Sequence, residues 1–152
     1  MRAAGSHRNS SQSSVSEVVV SGRRLALSRA LVRRVVESVL RAERRAALIS
    51  ITFLGRDSMR RLNLEHKGRD RPTDVLAFAL TDPTGQTIGD VYICPWVARQ
   101  EARSRGIAPR EELIRLVIHG TLHVLGLEHP EGPERTRSVM WRRQERYVEA
   151  LA

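Results

Sequence analysis

The 152-residue chain has one cysteine, Cys94, one lysine, Lys67, and only 4% aromatic residues. A single cysteine excludes an internal disulfide and any zinc site built from a cysteine cluster, and makes a reducing, cytoplasmic compartment the expectation. With so few aromatics the core must be made of Val, Leu, Ile and Ala. No apolar run approaches the roughly 18 residues needed to span a bilayer. The best, Ala46 to Leu54, is short and contains Ser50 and Thr52. The opening residues lack the basic region and apolar core of a secretory signal, so no membrane is expected as a partner.

Charge of one sign is in excess. Against 17 acidic residues stand 26 basic ones, for a net charge of +9 and a pI near 11.3. Such an excess points to a polyanionic partner, with nucleic acid foremost. An arginine-rich composition without such a partner would explain arginine over lysine, but not base over acid. Hydrophobic residues at 41% are enough for an ordinary core and exclude a wholly disordered chain.

Residues 1–16, with five serines among the first fourteen positions and no acid, read as a solvated tail, and 17–152 as one domain. Val18 to Val20 is a β-branched run that predicts a first strand. Ser28 is placed to cap a helix reaching about Arg45, with Leu31, Val35 and Val39 on one face and Arg33, Arg34, Glu37 and Arg41 on the other. Ala46 to Phe53 reads as a buried strand. Asp57 is expected to cap a second helix that ends near Gly68. Strands follow at Thr73 to Leu80 and Ile88 to Ile93, joined by a turn with Asp82, Pro83 and Gly85. Pro95 opens a helix ending near Gly106, and Pro109 another ending at Gly126. Pro133 or Glu134 is expected to start a last helix with Val139, Met140, Tyr147, Val148 and Leu151 as its apolar positions. The order β-α-β-α-β-β-α-α-α predicts an α+β domain: a mixed sheet of about four strands packed with helices.

Three of the five histidines fall within eleven residues, in His119–Gly–Thr–Leu–His123–Val–Leu–Gly–Leu–Glu–His129. Histidines four apart on a helix put both imidazoles on one face, where they can share a metal ion. Gly126 ends the helix and turns the chain back, bringing His129 towards the pair. Three neutral imidazoles with an open fourth position are the pattern of a catalytic zinc site. The wheel places Leu113, Ile114, Val117, Thr121, Val124 and Leu125 on the side opposite the histidines, so these should face a cleft rather than the main apolar arc. The same spacing occurs in metzincin proteases, but Gly120 stands where those have the glutamate that activates water. Glu128 lies beyond the turn and is not a substitute for it. A zinc peptidase is the weaker alternative.

Beyond spacing, the segment HGTLHVLGLEH resembles the HGxLHLxGxDH signature of the YbeY endoribonuclease family. LNLEHKGRDRPTDVLAF resembles that family's LN-x-x-YR-x-x-D-x-PTDVLSF block, and IGDVYICPWVARQEA its LGDI-x-I-(C/S) block, in the family's order and spacing. The resemblance covers about residues 50 to 130. It implies one zinc ion on His119, His123 and His129, and cleavage of single-stranded RNA. It further implies maturation of rRNA at the small-subunit 3′ end and ribosome quality control. The implied partners are the small ribosomal subunit, with ribosomal proteins or a ribosome-associated GTPase beside it, and no DNA. The family's arginine falls on Lys67 and its tyrosine on His66; Glu128 replaces an aspartate and Ala77 a serine. His119 and Lys67 are thereby the candidate catalytic residues.

The change to Lys67 bears on mechanism, because arginine offers phosphate a planar bidentate fork and lysine a single compact charge. It gives weight to a non-catalytic, zinc-stabilised ribosome-assembly factor as the alternative function. Thr73 and Asp74 are candidates for the cleft floor or for a hydrogen bond at the strand start. Asp90 is a candidate to orient a ligand histidine or to cap a turn. Cys94 reads as a small buried hydrophobe. Arg99, Arg103, Arg105, Arg110 and Arg115 could form an RNA track. No aromatic interleaving is visible, which predicts contacts to phosphate rather than base stacking. No carboxylate base is identifiable from the sequence.

Overall fold

A computed structural model describes residues 15–152. The part of the expected tail at residues 1–14 lies outside them.

The chain runs β1 (Glu17–Ser21), α1 (Arg29–Glu43), β2 (Leu48–Phe53), α2 (Arg56–Lys67), β3 (Val75–Thr81), β4 (Thr87–Ile93), α3 (Pro95–Arg105), α4 (Pro109–Val124) and α5 (Val139–Leu151), with a 3-10 turn at Gly132–Arg137 before the last helix. The strands form one mixed sheet in the order β1-β2-β4-β3. β1, β2 and β4 are parallel, and β3 returns antiparallel to β4 as a hairpin. The hairpin turn is tied by Asp82, whose carboxylate accepts from the Thr84 and Gln86 amides at 2.9 Å each.

Register assigns the two faces of the sheet. Val18 and Val20 pair with Ile49 and Ile51, which pair in turn with Gly89 and Val91. These side chains share one face with Phe53 and Ile93, and α1 and α4 cover that face to form the main core. The other face carries Leu76, which joins Met59 of α2 and Cys94 in a smaller apolar cluster. Cys94 is buried there, with its thiol pKa raised by burial, as the reading of a small hydrophobe required.

α4 is the central helix. The sheet packs on one side of it, and α1, α3 and α5 around the rest. Residues 112–122 are buried without a break. Two glycines allow this close approach. A Cβ on Gly120 would stand 2.3 Å from Val91 Cγ1, and one on Gly89 would stand 2.4 Å from both Val124 methyls. Position 120, where the protease pattern has its glutamate, therefore takes no side chain unless Val91 moves, so that pattern's general base has no place on this helix.

Three expectations about element ends are corrected. The N-cap of α2 is Gly55 and not Asp57, which lies in the first turn, where its charge favours the positive end of the helix dipole. α1 ends at Glu43, with Arg44 in the left-handed region at φ 54°. The last helix begins at Val139 rather than at Pro133 or Glu134. Ser138 is extended (φ −71°, ψ 157°) and separates the 3-10 turn from α5, and its Oγ accepts the Trp141 amide at 3.1 Å.

Candidate metal centre

α4 ends in a Schellman motif. The Leu127 N–H donates to the Leu122 carbonyl at 3.0 Å, the Gly126 N–H donates to the His123 carbonyl at 2.9 Å, and Gly126 takes φ 93°. That reversal, which glycine adopts without steric cost, carries His129 back to the helix. The ring centroids of His119 and His123 lie 4.6 Å apart, those of His119 and His129 5.1 Å, and those of His123 and His129 5.0 Å. One ligand nitrogen from each lies within 4.8 Å of the others. The three histidines named from the sequence are thus brought together.

Their protonation and orientation suit a cation. His119 Nδ1 is 2.6 Å from Gln144 Oε1, and Gln144 Nε2 donates to Glu145 Oε2 at 3.0 Å. A carboxylate only accepts, so it orders the amide with its oxygen towards His119. His119 therefore donates from Nδ1 and presents a lone pair from Nε2, the arrangement that a metal-binding imidazole requires. His129 Nδ1 is likewise 3.0 Å from the Pro130 carbonyl. Burial pushes the His119 pKa down to about 3, against the Gln144 hydrogen bond and with the positive charge of His123, Arg135 and His129. Burial, then His129, lowers His123. The donor set, three nitrogens in small compass with two tautomers fixed, fits a single divalent cation such as zinc.

The anchor of Gln144 is a buried ionic chain. Arg115 donates to both Glu145 oxygens, at 2.9 and 2.8 Å in the shorter contacts, and to Glu112 Oε2 at 3.0 Å, which also accepts from Arg105 at 3.0 Å. The hydrogen bond to Glu145 and its charge raise the Arg115 pKa. Arg115 therefore leaves the expected RNA track. It is buried in an internal network, while Arg99, Arg103, Arg105 and Arg110 are exposed.

A cleft of about 480 Å3 opens over the histidines. It is lined by all three of them together with Lys67, Arg69, Thr73, Asp74, Glu128, Glu131 and Arg135. Lys67 at the end of α2 is exposed, and Asn63 holds the following loop by donating to the Arg71 carbonyl at 2.7 Å. Asp74 meets both descriptions given from the sequence. It lines the cleft, and its Oδ1 accepts the Val75 amide at 2.8 Å. Burial raises its pKa, with the Val75 hydrogen bond and Arg135 opposing. Glu128 and Glu131 add acidic groups that the sequence did not place in the cleft.

Asp90 is not at the site. Gly89 and Val91 point towards α4, so period two turns Asp90 to the opposite face of β4, where it is exposed. The ligand-orienting role considered for it belongs by position to Gln144. Gln144 had a legible signal: Met140, Gln144 and Val148 repeat every four residues along the buried stripe of α5, so a polar residue interrupts an apolar series. Arg135 and Trp141 were missed as well.

The lowered His119 pKa predicts how the metal-free protein responds to acid. The folded imidazole stays neutral to about 3, whereas in the unfolded chain it takes up a proton below about 6.5. The stabilisation is full above that pH and is lost as pH falls. From this source about 2 kcal/mol should disappear between pH 6.5 and 5, while Asp74 and Glu112, whose pKa values are raised by burial, act in the opposite sense. Urea unfolding of chelator-treated protein at pH 7.5, 6.5 and 5 measures this, and a flat profile would contradict the burial of His119.

Residues 19–152 match the family described as Endoribonuclease YbeY. An endoribonuclease YbeY of Thermotoga maritima is 32% identical over 116 residues, covering 76% of this chain and 75% of its own. Another, from a Sulfurihydrogenibium species, is 38% identical and covers 68% and 69% of the two chains. The solution structure of a Thermotoga maritima protein superposes with a TM-score of 0.65 at 28% identity, over 89% of each chain. With its three histidines on α4 and the reversal after it, and with relatives matched over most of its length, the chain belongs to the YbeY endoribonuclease family.

Proposed function

We propose that the chain is a zinc-dependent, single-strand-specific endoribonuclease of the cytoplasm that matures rRNA, at the small-subunit 3′ end, and serves ribosome quality control. The observation that carries this reading is one cleft lined by three convergent imidazoles and a lysine in a member of an endoribonuclease family. His119, His123 and His129 would hold the zinc, which when bound supplies Lewis-acid charge to a phosphoryl oxygen.

The rest of the chemistry falls to the protein. Lys67 neutralises the scissile phosphate and the charge that grows on its oxygens. Asp74 lines the same cleft, and burial raises its proton affinity, which makes it the candidate there to hold and pass a proton. Gln144 keeps His119 in one tautomer. The exposed arginines of α3 and the start of α4 supply a positive approach to the ribosomal RNA, so binding should weaken steeply as salt rises.

Metal analysis and single-turnover cleavage of an RNA containing the small-subunit 3′ end, with and without chelator, test the reading. Lys67→Ala should slow cleavage about 100-fold with metal content unchanged. Lys67→Arg should keep or raise the rate, because it restores the bidentate fork. Wild-type rates in Lys67→Ala would remove Lys67 from the mechanism. The lysine itself favours one second reading, a ribosome-assembly factor that binds RNA without cutting. Zinc-loaded wild type that binds this RNA but leaves it intact would establish that reading instead.

A further inference from the structure

Behind His119 a second cavity of about 330 Å3 adjoins the metal cleft and shares His119, Asp74 and Arg135 with it. Its far wall holds Trp141, at the first turn of α5, and Glu101 of α3. Trp141 is fixed by its backbone, since Ser138 caps the helix through the Trp141 amide. The other tryptophan, Trp96, packs in the small cluster on the far face of the sheet, with Arg56 4.7 Å above its ring.

Two groups that line this cavity offer contacts to a ligand. Arg135 Cζ lies 5.6 Å from the Trp141 ring centroid, so a guanidinium and an indole line the cavity side by side. Glu101 is exposed, and among the described residues its side chain has no hydrogen bond or ion pair, whereas Glu112 nearby is engaged by Arg105 and Arg115. An aromatic ring and a guanidinium plane offer stacking surfaces, and a free carboxylate accepts.

We propose that this cavity is a nucleobase subsite, which seats the base next to the scissile phosphodiester on the Arg135–Trp141 pair. Glu101 accepts from an exocyclic amino group of the base. The subsite therefore takes adenine, cytosine or guanine in preference to uracil. Bases stack on aromatic rings and on arginine planes alike in single-stranded RNA recognition. The inference extends the endoribonuclease reading by assigning base contacts to a site whose sequence suggested phosphate contacts alone.

The test uses metal-loaded protein and ligands that need no cleavage. Calorimetric titration with AMP, CMP, GMP, UMP and ribose 5-phosphate separates the base from the phosphate. AMP, CMP and GMP should bind about tenfold or more tighter than ribose 5-phosphate, and CMP tighter than UMP. In Trp141→Leu the nucleotides should fall to the affinity of ribose 5-phosphate, with metal content and unfolding midpoint unchanged. If that variant unfolds, Arg135→Gln carries the same expectation. Equal binding of nucleotides and ribose 5-phosphate by wild type overturns the subsite, and equal binding of CMP and UMP overturns the part given to Glu101. Base-dependent binding in a protein that cuts no RNA supports the subsite while the cleavage reading fails. Cleavage of RNA without base-dependent binding does the reverse.

Discussion

His123→Ala is expected to bring the metal content from about one ion per chain to near zero, and RNA cleavage to about 1% of wild type or less. His123 is the ligand whose loss reports most cleanly on the metal. His119 is buried and tied through Gln144 to the ionic network, so its removal would disturb the helix packing as well. His129 sits on the loop after α4, where a change would also alter the path of the chain. His123 is half-buried at the helix end, and its replacement leaves the Gln144 connection in place. Two imidazoles do not hold zinc at the affinity of three. The lost metal should also appear in stability, because a ligand that binds only the folded state at 100 times its Kd contributes about 2.7 kcal/mol. The variant should therefore unfold at the midpoint of chelator-treated wild type, and adding metal should raise only the wild-type value. Equal metal in variant and wild type, measured by elemental analysis, would defeat the three-histidine assignment.

The second large effect is expected far from any substrate. Arg115→Ala should destabilise the protein by about 3–5 kcal/mol in urea unfolding. The Arg115 side chain is 8% exposed and that of Glu112 5%, and the two are 3.0 Å apart. Removing the guanidinium leaves Glu112 buried with only the half-exposed Arg105 as counter-ion, and deprives Glu145 of three charge-assisted hydrogen bonds. Burial already raises the Glu112 pKa, so the carboxyl should protonate rather than stay charged, which limits the loss at low pH. A double replacement, Arg115→Met with Glu112→Leu, should recover most of the stability, since an apolar pair of similar volume replaces a buried ion pair with little or no loss. A connected effect is expected at the metal. With Glu145 released, Gln144 loses its orienting partner, and affinity for zinc should fall about 10- to 100-fold, as it does when ligand-orienting groups are lost. A chelator-competition titration measures it. Loss of stability without loss of affinity would separate the network from the site.

Much of the domain is local in origin and was legible in the chain. β1, α1, β2 and the β3–β4 hairpin follow from β-branched runs, an amphipathic repeat and a turn at Asp82 to Gly85, each decided within a few residues. The histidine cluster was legible for the same reason. His119 and His123 share a helix face by spacing alone, and Gly126 reverses the chain within three residues of His123. The start of α5 was misplaced because Pro133 is as compatible with a 3-10 turn as with a helix, and only the extended backbone of Ser138 separates the two.

The long-range features had no local mark. Arg115 reads as one more surface arginine until α5 places Glu145 beside it, thirty positions along the chain. The wheel gave α4 one apolar side, yet the helix is buried all round, because α3 and α5 close over the polar side. Asp90 and Gln144 were equal in chemistry as partners for His119, and strand alternation sends one away from the site while the packing of α5 delivers the other. Trp141 lies twelve residues beyond the last ligand and comes back to the cavity behind His119 through the turn that precedes α5. The residue types and their short spacings by themselves determined most of the elements and the cluster of three histidines, since hydrogen bonds and side-chain periodicity act over a few positions. Which charges are buried, which side chain orients His119 and what lines the second cavity were decided only when separate elements packed together, since burial and pairing depend on neighbours distant in the chain.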